Sequence, residues 1–242
     1  MVQLILFIAA AILYAVVYPL SGYLQTRHLI RRKRGNNTNK TDSYKQSMIW
    51  SWIPAIIIII VVKADGFSFE DIGICLISPK VTGFNNWVIY IALLSYIAYL
   101  CYNVYCILTI KYNKESRMEY STQIPESLRF ILPVSYKEKK LWKLLALTAG
   151  ITEEIQYRGY LFFAIPLIFG RIPVWLLIVV SSVLFGMGHI YQGREAYKPV
   201  LAGMYFGFLY IFLGSIIPII VLHILQDLVV VNLLDEQNSL ES

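Results

Sequence analysis

The chain has 242 residues, of which 57% are hydrophobic and only 15% charged, and its mean hydropathy is +0.60. Soluble domains carry roughly 25% charged residues, so this composition excludes an ordinary soluble domain. The long, continuous apolar runs also exclude the short alternating strands of a membrane β-barrel. The net charge is +6, and the basic residues cluster in Arg27 to Lys45 and Lys111 to Lys143. This distribution is typical of cytoplasmic loops rather than of a nucleic-acid-binding surface.

The apolar runs predict an all-α polytopic membrane protein, a bundle of about seven transmembrane helices with an intramembrane polar cavity. The predicted helices are Val2 to Leu24, Met48 to Val62, Trp87 to Ile110, Leu141 to about Phe163, Pro173 to about His189, Pro199 to Leu213 and Ser215 to Leu234. We expect the first run to be a retained helix, because it has neither the basic start nor the small-residue cleavage site of a signal peptide.

Three polar or mixed segments separate the early helices. Gly35 to Gln46 carries two glycosylation sequons, which should be silent in a cytoplasmic loop. Gly66 to Pro79 should lie at the outer interface, and Lys111 to Lys140 should return the chain to the cytoplasm. An N-terminus outside then puts both basic loops inside, and the lack of targeting signals favours a prokaryotic plasma membrane. The three cysteines have no metal-binding spacing and are expected to be buried packing residues.

Three short motifs place ionisable side chains inside predicted membrane helices. They are Glu153-Glu154-Ile155-Gln156-Tyr157-Arg158, Phe185-Gly186-Met187-Gly188-His189 and His223-Ile224-Leu225-Gln226-Asp227. A charge at the bilayer centre costs about 2.5–3.5 kcal/mol on insertion scales, so such residues mark a functional site by default. Each motif alone is common on ordinary helices. Their occurrence together, in separate apolar helices, predicts a functional site.

The two glutamates of the first motif are expected to have different roles. Glu154 and Arg158 are spaced i, i+4 with the acid N-terminal to the base, which is the favourable order for a helical ion pair. Glu153 has no such partner in its own helix. We therefore expect Glu153 to face a cavity and to act as a general base that activates water.

The other two motifs supply His189, His223 and Asp227, the last two on one face of a helix. Brought together with Glu153, these side chains could hold a water molecule, polarise a carbonyl and stabilise an oxyanion. The same four side chains could instead bind zinc, because two imidazoles and a carboxylate suit zinc with an open fourth position. The residues leave metal-dependent and metal-free activation of water open.

The order and spacing of the three motifs resemble the signature of the CAAX protease and bacteriocin-processing family. This family, also called CPBP or Abi, includes the type II CAAX prenyl endopeptidases. The resemblance covers about Leu141 to Leu234, and Phe69 to Ile74 is similar to a weaker motif of many members. It divides the chain into N-terminal membrane helices with basic loops (1–140), a catalytic core (141–234) and a short tail (235–242).

The resemblance implies an intramembrane endopeptidase in which Glu153, helped by His189, activates the attacking water. It implies that His223 and Asp227 stabilise the oxyanion or position the water, and that Glu154 and Arg158 brace the site. Members are often labelled metalloproteases, although a metal-independent glutamate mechanism fits the same residues. The implied substrate is a membrane-associated peptide or protein of prenylated, bacteriocin or signal-peptide type, with membrane lipids as further partners and no nucleic acid.

Two other functions remain open at this point. Some family members act in bacteriocin immunity or regulation, so a non-catalytic membrane protein that binds another membrane component is the main alternative. A transporter that uses the buried charges as an ion relay is the other. The lack of a visible internal repeat argues against a transporter built from inverted halves.

Overall fold

The structure is a computed structural model that describes residues 1–34, 40–77 and 86–234. Within these ranges the chain is helical and has no strand, so the prediction of an all-α protein is confirmed. The first sequon (36–38), the acceptor residue of the second (39) and the tail (235–242) lie outside the described residues.

The described ranges contain eleven α-helices joined by turns and short irregular helices. The α-helices are α1 (Val2–Ile12), α2 (Tyr18–Arg34), α3 (Thr41–Ala64), α4 (Asn86–Tyr112), α5 (Lys114–Thr122), α6 (Glu126–Arg129), α7 (Tyr136–Glu154), α8 (Leu161–Phe169), α9 (Val174–Met187), α10 (Tyr197–Leu213) and α11 (Ile217–Leu228). The irregular helices are two π-helical turns (Leu13–Val17 and Ile155–Tyr160) and two 3-10 turns (Ile190–Ala196 and Val229–Asn232). The first π turn joins α1 to α2, and the second joins α7 to α8.

Among the described residues, four helices are long and apolar enough to cross a membrane, so the chain is an integral membrane protein. They are Val2–Leu29, Thr41–Ala64, Trp87–Tyr112 and Ile190–Leu213. The apolar segments Val174–Met187 and Ile217–Asn232 are shorter. The sequence predicts about seven transmembrane helices. The fourth predicted helix belongs to a continuous rod from Tyr136 to Phe169 whose first two turns are strongly basic, and it is not among the four.

The second predicted helix starts seven residues earlier than its apolar run, at Thr41, because it is tied to the start of α7. The Lys40 amide donates to Glu138 Oε1 at 3.2 Å, and the Lys40 ammonium group donates to the carbonyl of Leu132. Glu138 also forms a capping box with Ser135 at the start of α7. This buried polar contact holds α3 against α7, the helix that carries the first motif.

The segment between α3 and α4 packs on the turn between α10 and α11. Ile72 is fully buried, and the carbonyl of Gly73 accepts a hydrogen bond from the Ile216 amide at 2.9 Å. A Cβ at Gly73, where φ is +73°, would lie 2.5 Å from the ring of Tyr210, so only glycine suits this close approach. The described part of Gly66 to Pro79 is therefore a turn anchored to the bundle and not a crossing segment.

The expectation of three buried cysteines is wrong for one of them. Cys106 is buried and Cys75 is half-buried, but Cys101 is exposed on α4. An apolar side chain on a membrane helix gains nothing from burial in protein when its alternative surroundings are lipid.

Candidate active site

The first motif lies where α7 changes into a π-helical turn. Glu153 and Glu154 are the last two residues of α7, and Arg158 lies in the π turn Ile155–Tyr160, whose six residues are all buried. Single π turns inside helices are frequent at functional sites. Here the turn sits directly beside the two glutamates.

Glu154 connects the first and third motifs. Its Oε1 lies 2.9 Å from Arg158 Nη1 and 2.7 Å from His223 Nδ1, and both Glu154 and Arg158 are completely buried. The ion pair expected from the i, i+4 spacing is therefore present. Because a carboxylate that is paired with Arg158 only accepts hydrogen bonds, Nδ1 of His223 carries a proton and donates a hydrogen bond to Glu154.

The other ring nitrogen of His223 faces two further carboxylates. Its Nε2 lies 3.7 Å from Glu153 Oε2 and 3.9 Å from Asp227 Oδ2. Both separations exceed a direct hydrogen bond, so Nε2 is not hydrogen-bonded to either carboxylate. The side chains of Glu153 and Asp227 are 21% and 34% exposed, whereas His223 is 6% exposed. These two carboxylates therefore form the accessible side of the cluster.

His189 reaches the same cluster from the end of α9. Its Nδ1 lies 3.0 Å from the carbonyl oxygen of Phe185, which leaves Nε2 for a second partner. The Phe185 ring contacts both imidazoles, with centroid distances of 4.8 Å to His189 and 5.9 Å to His223. His189 also lies within electrostatic range of Asp227. The structure thus brings the three motifs to one place, on α7, the end of α9 and α11.

Arg158 is held by aromatic rings as well as by Glu154. Its guanidinium carbon lies 4.5 Å from the centroid of Phe185 and 5.4 Å from that of Phe206, distances typical of cation–π contacts. A Cβ at Gly203 would lie 3.2 Å from Arg158 Nη2, so this glycine lets α10 approach the guanidinium closely. Phe206 is a site neighbour that sequence reasoning missed, because it lies in an apolar helix without a motif.

Several buried polar atoms of the cluster have no hydrogen-bond partner within the described part of the protein. They include Glu153 Oε2, Glu154 Oε2 and Arg158 Nη2. Buried polar atoms are normally hydrogen-bonded, to protein or to water. The cluster can therefore bond a water molecule or a polar group of a ligand.

The zinc site that the sequence left open does not fit these positions. Among residues 1–34, 40–77 and 86–234, no group of three or more His, Cys, Asp or Glu side chains could hold a metal ion. Each histidine is bonded to protein through Nδ1, His223 to Glu154 and His189 to Phe185. Such bonds are common in histidines that ligate a metal through Nε2, so they do not argue against zinc.

A close approach of two helices sets the spacing between Glu153 and His223. A Cβ at Gly150 of α7 would lie 2.5 Å from Ile224 Cγ1 and 3.3 Å from the backbone oxygen of Ile220, both on α11. Gly150→Val should therefore push α11 away and lower the free energy of unfolding by about 1–3 kcal/mol. The control is Leu147→Val on the same helix, because Leu147 is 46% exposed. Equal denaturation midpoints for the two variants in mixed micelles would contradict this account.

An open groove of about 690 Å3 lies between α4, α10 and α11. Tyr102 and Leu201 form part of its wall, and each is 57% exposed on the outer face of the bundle. Gln226 lies at the groove and accepts a hydrogen bond from Tyr99 at 3.1 Å. Since Gln226 precedes Asp227, the groove reaches the helix that carries the third motif.

Comparison with known proteins agrees with the motifs. Residues 139–229 match the family model of the Type II CAAX prenyl endopeptidase Rce1-like proteins. No curated protein and no solved structure gives a significant match. The matched segment begins in α7 and ends just after α11, so it contains all three motifs. Residues 139–229 are therefore similar to the Rce1-like family of membrane proteases, in agreement with the resemblance to CAAX proteases.

Proposed function

We propose that this protein is an intramembrane endopeptidase that hydrolyses a peptide bond of a membrane-associated substrate. The observation that carries the proposal is the proximity of Glu153 and Asp227 to His223 Nε2, at 3.7 and 3.9 Å. This cluster lies within a segment that is similar to a protease family, in a chain with several apolar helices. Hydrolysis of a peptide bond requires a site that binds both a water molecule and the peptide carbonyl group, and a polar, partly accessible cluster can do so.

Glu153 is the general base in the proposed reaction. Its carboxylate takes a proton from water while the water oxygen attacks the carbonyl carbon of the scissile bond. The tetrahedral intermediate then collapses, the carbon–nitrogen bond breaks, and the proton passes from Glu153 to the leaving amine. His189, through its free Nε2, holds the attacking water beside Glu153.

His223 acts on the carbonyl oxygen, and Glu154 and Asp227 act on His223. The bond from Glu154 to Nδ1 stabilises the protonated imidazole, whose Nε2–H can then donate to the developing oxyanion. Asp227 stabilises the same protonated ring from the Nε2 side. Arg158 neutralises Glu154 and keeps its carboxylate fixed.

We infer that the substrate reaches the site from the membrane. The groove between α4 and α10 is walled mainly by apolar groups, and it opens on a surface that faces lipid in a membrane protein. A prenylated, bacteriocin-type or signal-peptide-type substrate would each bring a hydrophobic segment that suits such a wall. We also propose that the N-terminus lies outside and the basic loops in the cytoplasm of a prokaryotic cell.

The test is a comparison of membrane and secreted peptides from cells that carry the wild-type protein or Glu153→Ala. We expect one or more membrane-associated peptides to appear only with the wild type, and their uncut precursors to accumulate with the variant. Purified protein in lipid vesicles should then cut the precursor, with and without a chelator. Identical peptide profiles with an unchanged cellular phenotype would instead favour a non-catalytic immunity or regulatory protein. Loss of cleavage on chelation, restored by zinc, would overturn the metal-free mechanism.

A further inference from the structure

The N-terminal helix packs against the site although it lies outside the matched segment 139–229. It runs as α1, the first π turn and α2, from Val2 to Arg34. The ring of Tyr14, in this π turn, lies 4.6 Å from the ring of Tyr157, in the π turn that follows Glu154. Two irregular turns are thus in direct contact beside the glutamates.

Gln156 joins this helix to the turn that carries the first motif. Its Oε1 accepts a hydrogen bond from the Tyr18 hydroxyl at 3.0 Å, and its Nε2 donates to the carbonyls of Thr152 at 3.0 Å and Ser51 at 3.4 Å. Gln156 is completely buried, so each of these bonds is made away from water. Because Glu153 lies between Thr152 and Gln156, Tyr18 fixes the stretch of backbone that aims Glu153.

Gly22 makes a second contact, with the 3-10 turn that follows His189. A Cβ at Gly22 would lie 2.8 Å from Tyr191 Cδ1 and 3.6 Å from the backbone oxygen of Gly188. The Tyr191 ring in turn lies 5.9 Å from the His189 ring. Tyr191 therefore fills the space between the N-terminal helix and one of the histidines.

Both contacts involve chain segments next to proposed catalytic residues. Gln156 lies three residues after Glu153, and Tyr191 lies two residues after His189. Neither tyrosine belongs to a motif. Each of them fixes a backbone segment that carries a proposed catalytic side chain.

We propose that the N-terminal helix is a positioning element of the active site. Tyr18 acts through Gln156 on the turn that carries Glu153, and Gly22 seats Tyr191 beside His189. The inference rests on the proposed hydrolysis and adds that the family segment depends on a helix outside it. A misplacement of about 1 Å can reduce turnover about a hundredfold, so such contacts affect rate more than stability.

The first test is a double-mutant cycle on Tyr18→Phe and Gln156→Leu, measured as kcat and KM for the peptide identified above. Tyr18→Phe should lower kcat about fivefold with KM unchanged, since it removes one hydrogen bond and leaves the ring. The double variant should be no slower than Gln156→Leu alone, because both changes break the same contact. Multiplicative effects, or a change in KM alone, would overturn the role of Tyr18.

The second test is the variant Gly22→Ala. Helix propensity predicts that this variant is at least as stable as the wild type, whereas the proposed contact predicts a lower kcat. Alanine favours a helix by about 1 kcal/mol over glycine, so this variant should unfold no more easily than the wild type. Its kcat should nevertheless fall about tenfold or more, because the new methyl group displaces Tyr191 from His189. Against a Tyr191→Ala background, Gly22→Ala should have no further effect. Full kcat for Gly22→Ala would contradict the seating of Tyr191.

The control on the same helix is Leu20→Ala, since Leu20 is 54% exposed on the opposite side and should keep wild-type kcat. Glu153→Ala separates the two proposals. If Glu153→Ala is inactive while the Tyr18 and Gly22 variants match wild type, only the positioning role fails. If Glu153→Ala is fully active, the proposed hydrolysis fails first.

Discussion

Glu153→Gln is expected to lower kcat for peptide hydrolysis about 10³-fold, within the range that a positioned general base supplies. The amide has nearly the same shape as the carboxylate but cannot take a proton from water. The variant should remain folded, because Glu153 Oε2 lies 3.7 Å from its nearest charged neighbour and makes no hydrogen bond to the described protein. We expect its free energy of unfolding to change by about 1 kcal/mol or less.

The measurement is turnover of the identified substrate in lipid vesicles, together with a denaturation curve for the same preparation. Glu195→Gln is the matched control, because Glu195 pairs with Lys198, whose side chain is 61% exposed at the start of α10. This control should be indistinguishable from the wild type. Glu153→Gln with more than about a tenth of wild-type kcat would remove Glu153 from the role of base, since loss of a positioned base costs at least about 10²-fold.

Arg158→Met is expected to show the reverse pattern, a large loss of stability. Arg158 and Glu154 are both completely buried and lie 2.9 Å apart, so removal of the guanidinium leaves a carboxylate in a dry environment with only His223 as a partner. Breaking one side of a buried ion pair typically costs about 3–5 kcal/mol. Methionine keeps most of the packing against Phe185 and Phe206, so the loss would report the charge.

Unfolding by detergent titration in mixed micelles measures this loss. Arg171→Met, at an exposed position between α8 and α9, is the control and should change stability little. The double variant Glu154→Gln with Arg158→Met should be more stable than Arg158→Met alone, because no unpaired buried charge remains. Equal unfolding midpoints for Arg158→Met and Arg171→Met would contradict the structural role of the pair.

These two results would assign different roles to two adjacent residues, catalysis to Glu153 and stability to Glu154. The sequence already separates them, because only Glu154 has a base four residues later. It does not reveal that Glu154 also bonds His223, since that contact joins residues 69 positions apart and depends on how α7 meets α11. Periodicity within a helix predicts local pairs, whereas contacts between helices follow from packing.

The fold shows the same division between local and long-range information. The apolar runs predict the helices well. However, α3 begins at Thr41 because Lys40 bonds to Glu138, and no local sequence pattern predicts this contact. The motifs locate Glu153, His189, His223 and Asp227, and the structure brings their three helices together. The sequence does not identify Tyr18 and Phe206 as neighbours of the site. An aromatic residue fits the sequence pattern of a membrane helix equally well whether its side chain faces lipid or a polar cluster.

The facing π turns at Leu13–Val17 and Ile155–Tyr160 constrain how the chain can change in length. A π turn accommodates one more residue than the α-helical turn it replaces, and each α-helical residue rotates a helix by about 100°. Deleting one residue from the first turn would convert it into an α-helical turn, so the helix before it would keep nearly its present register. The same deletion in α2 between Tyr18 and Gly22 would rotate these two residues about 100° relative to each other. Their contacts with Gln156 and Tyr191 could then not form together.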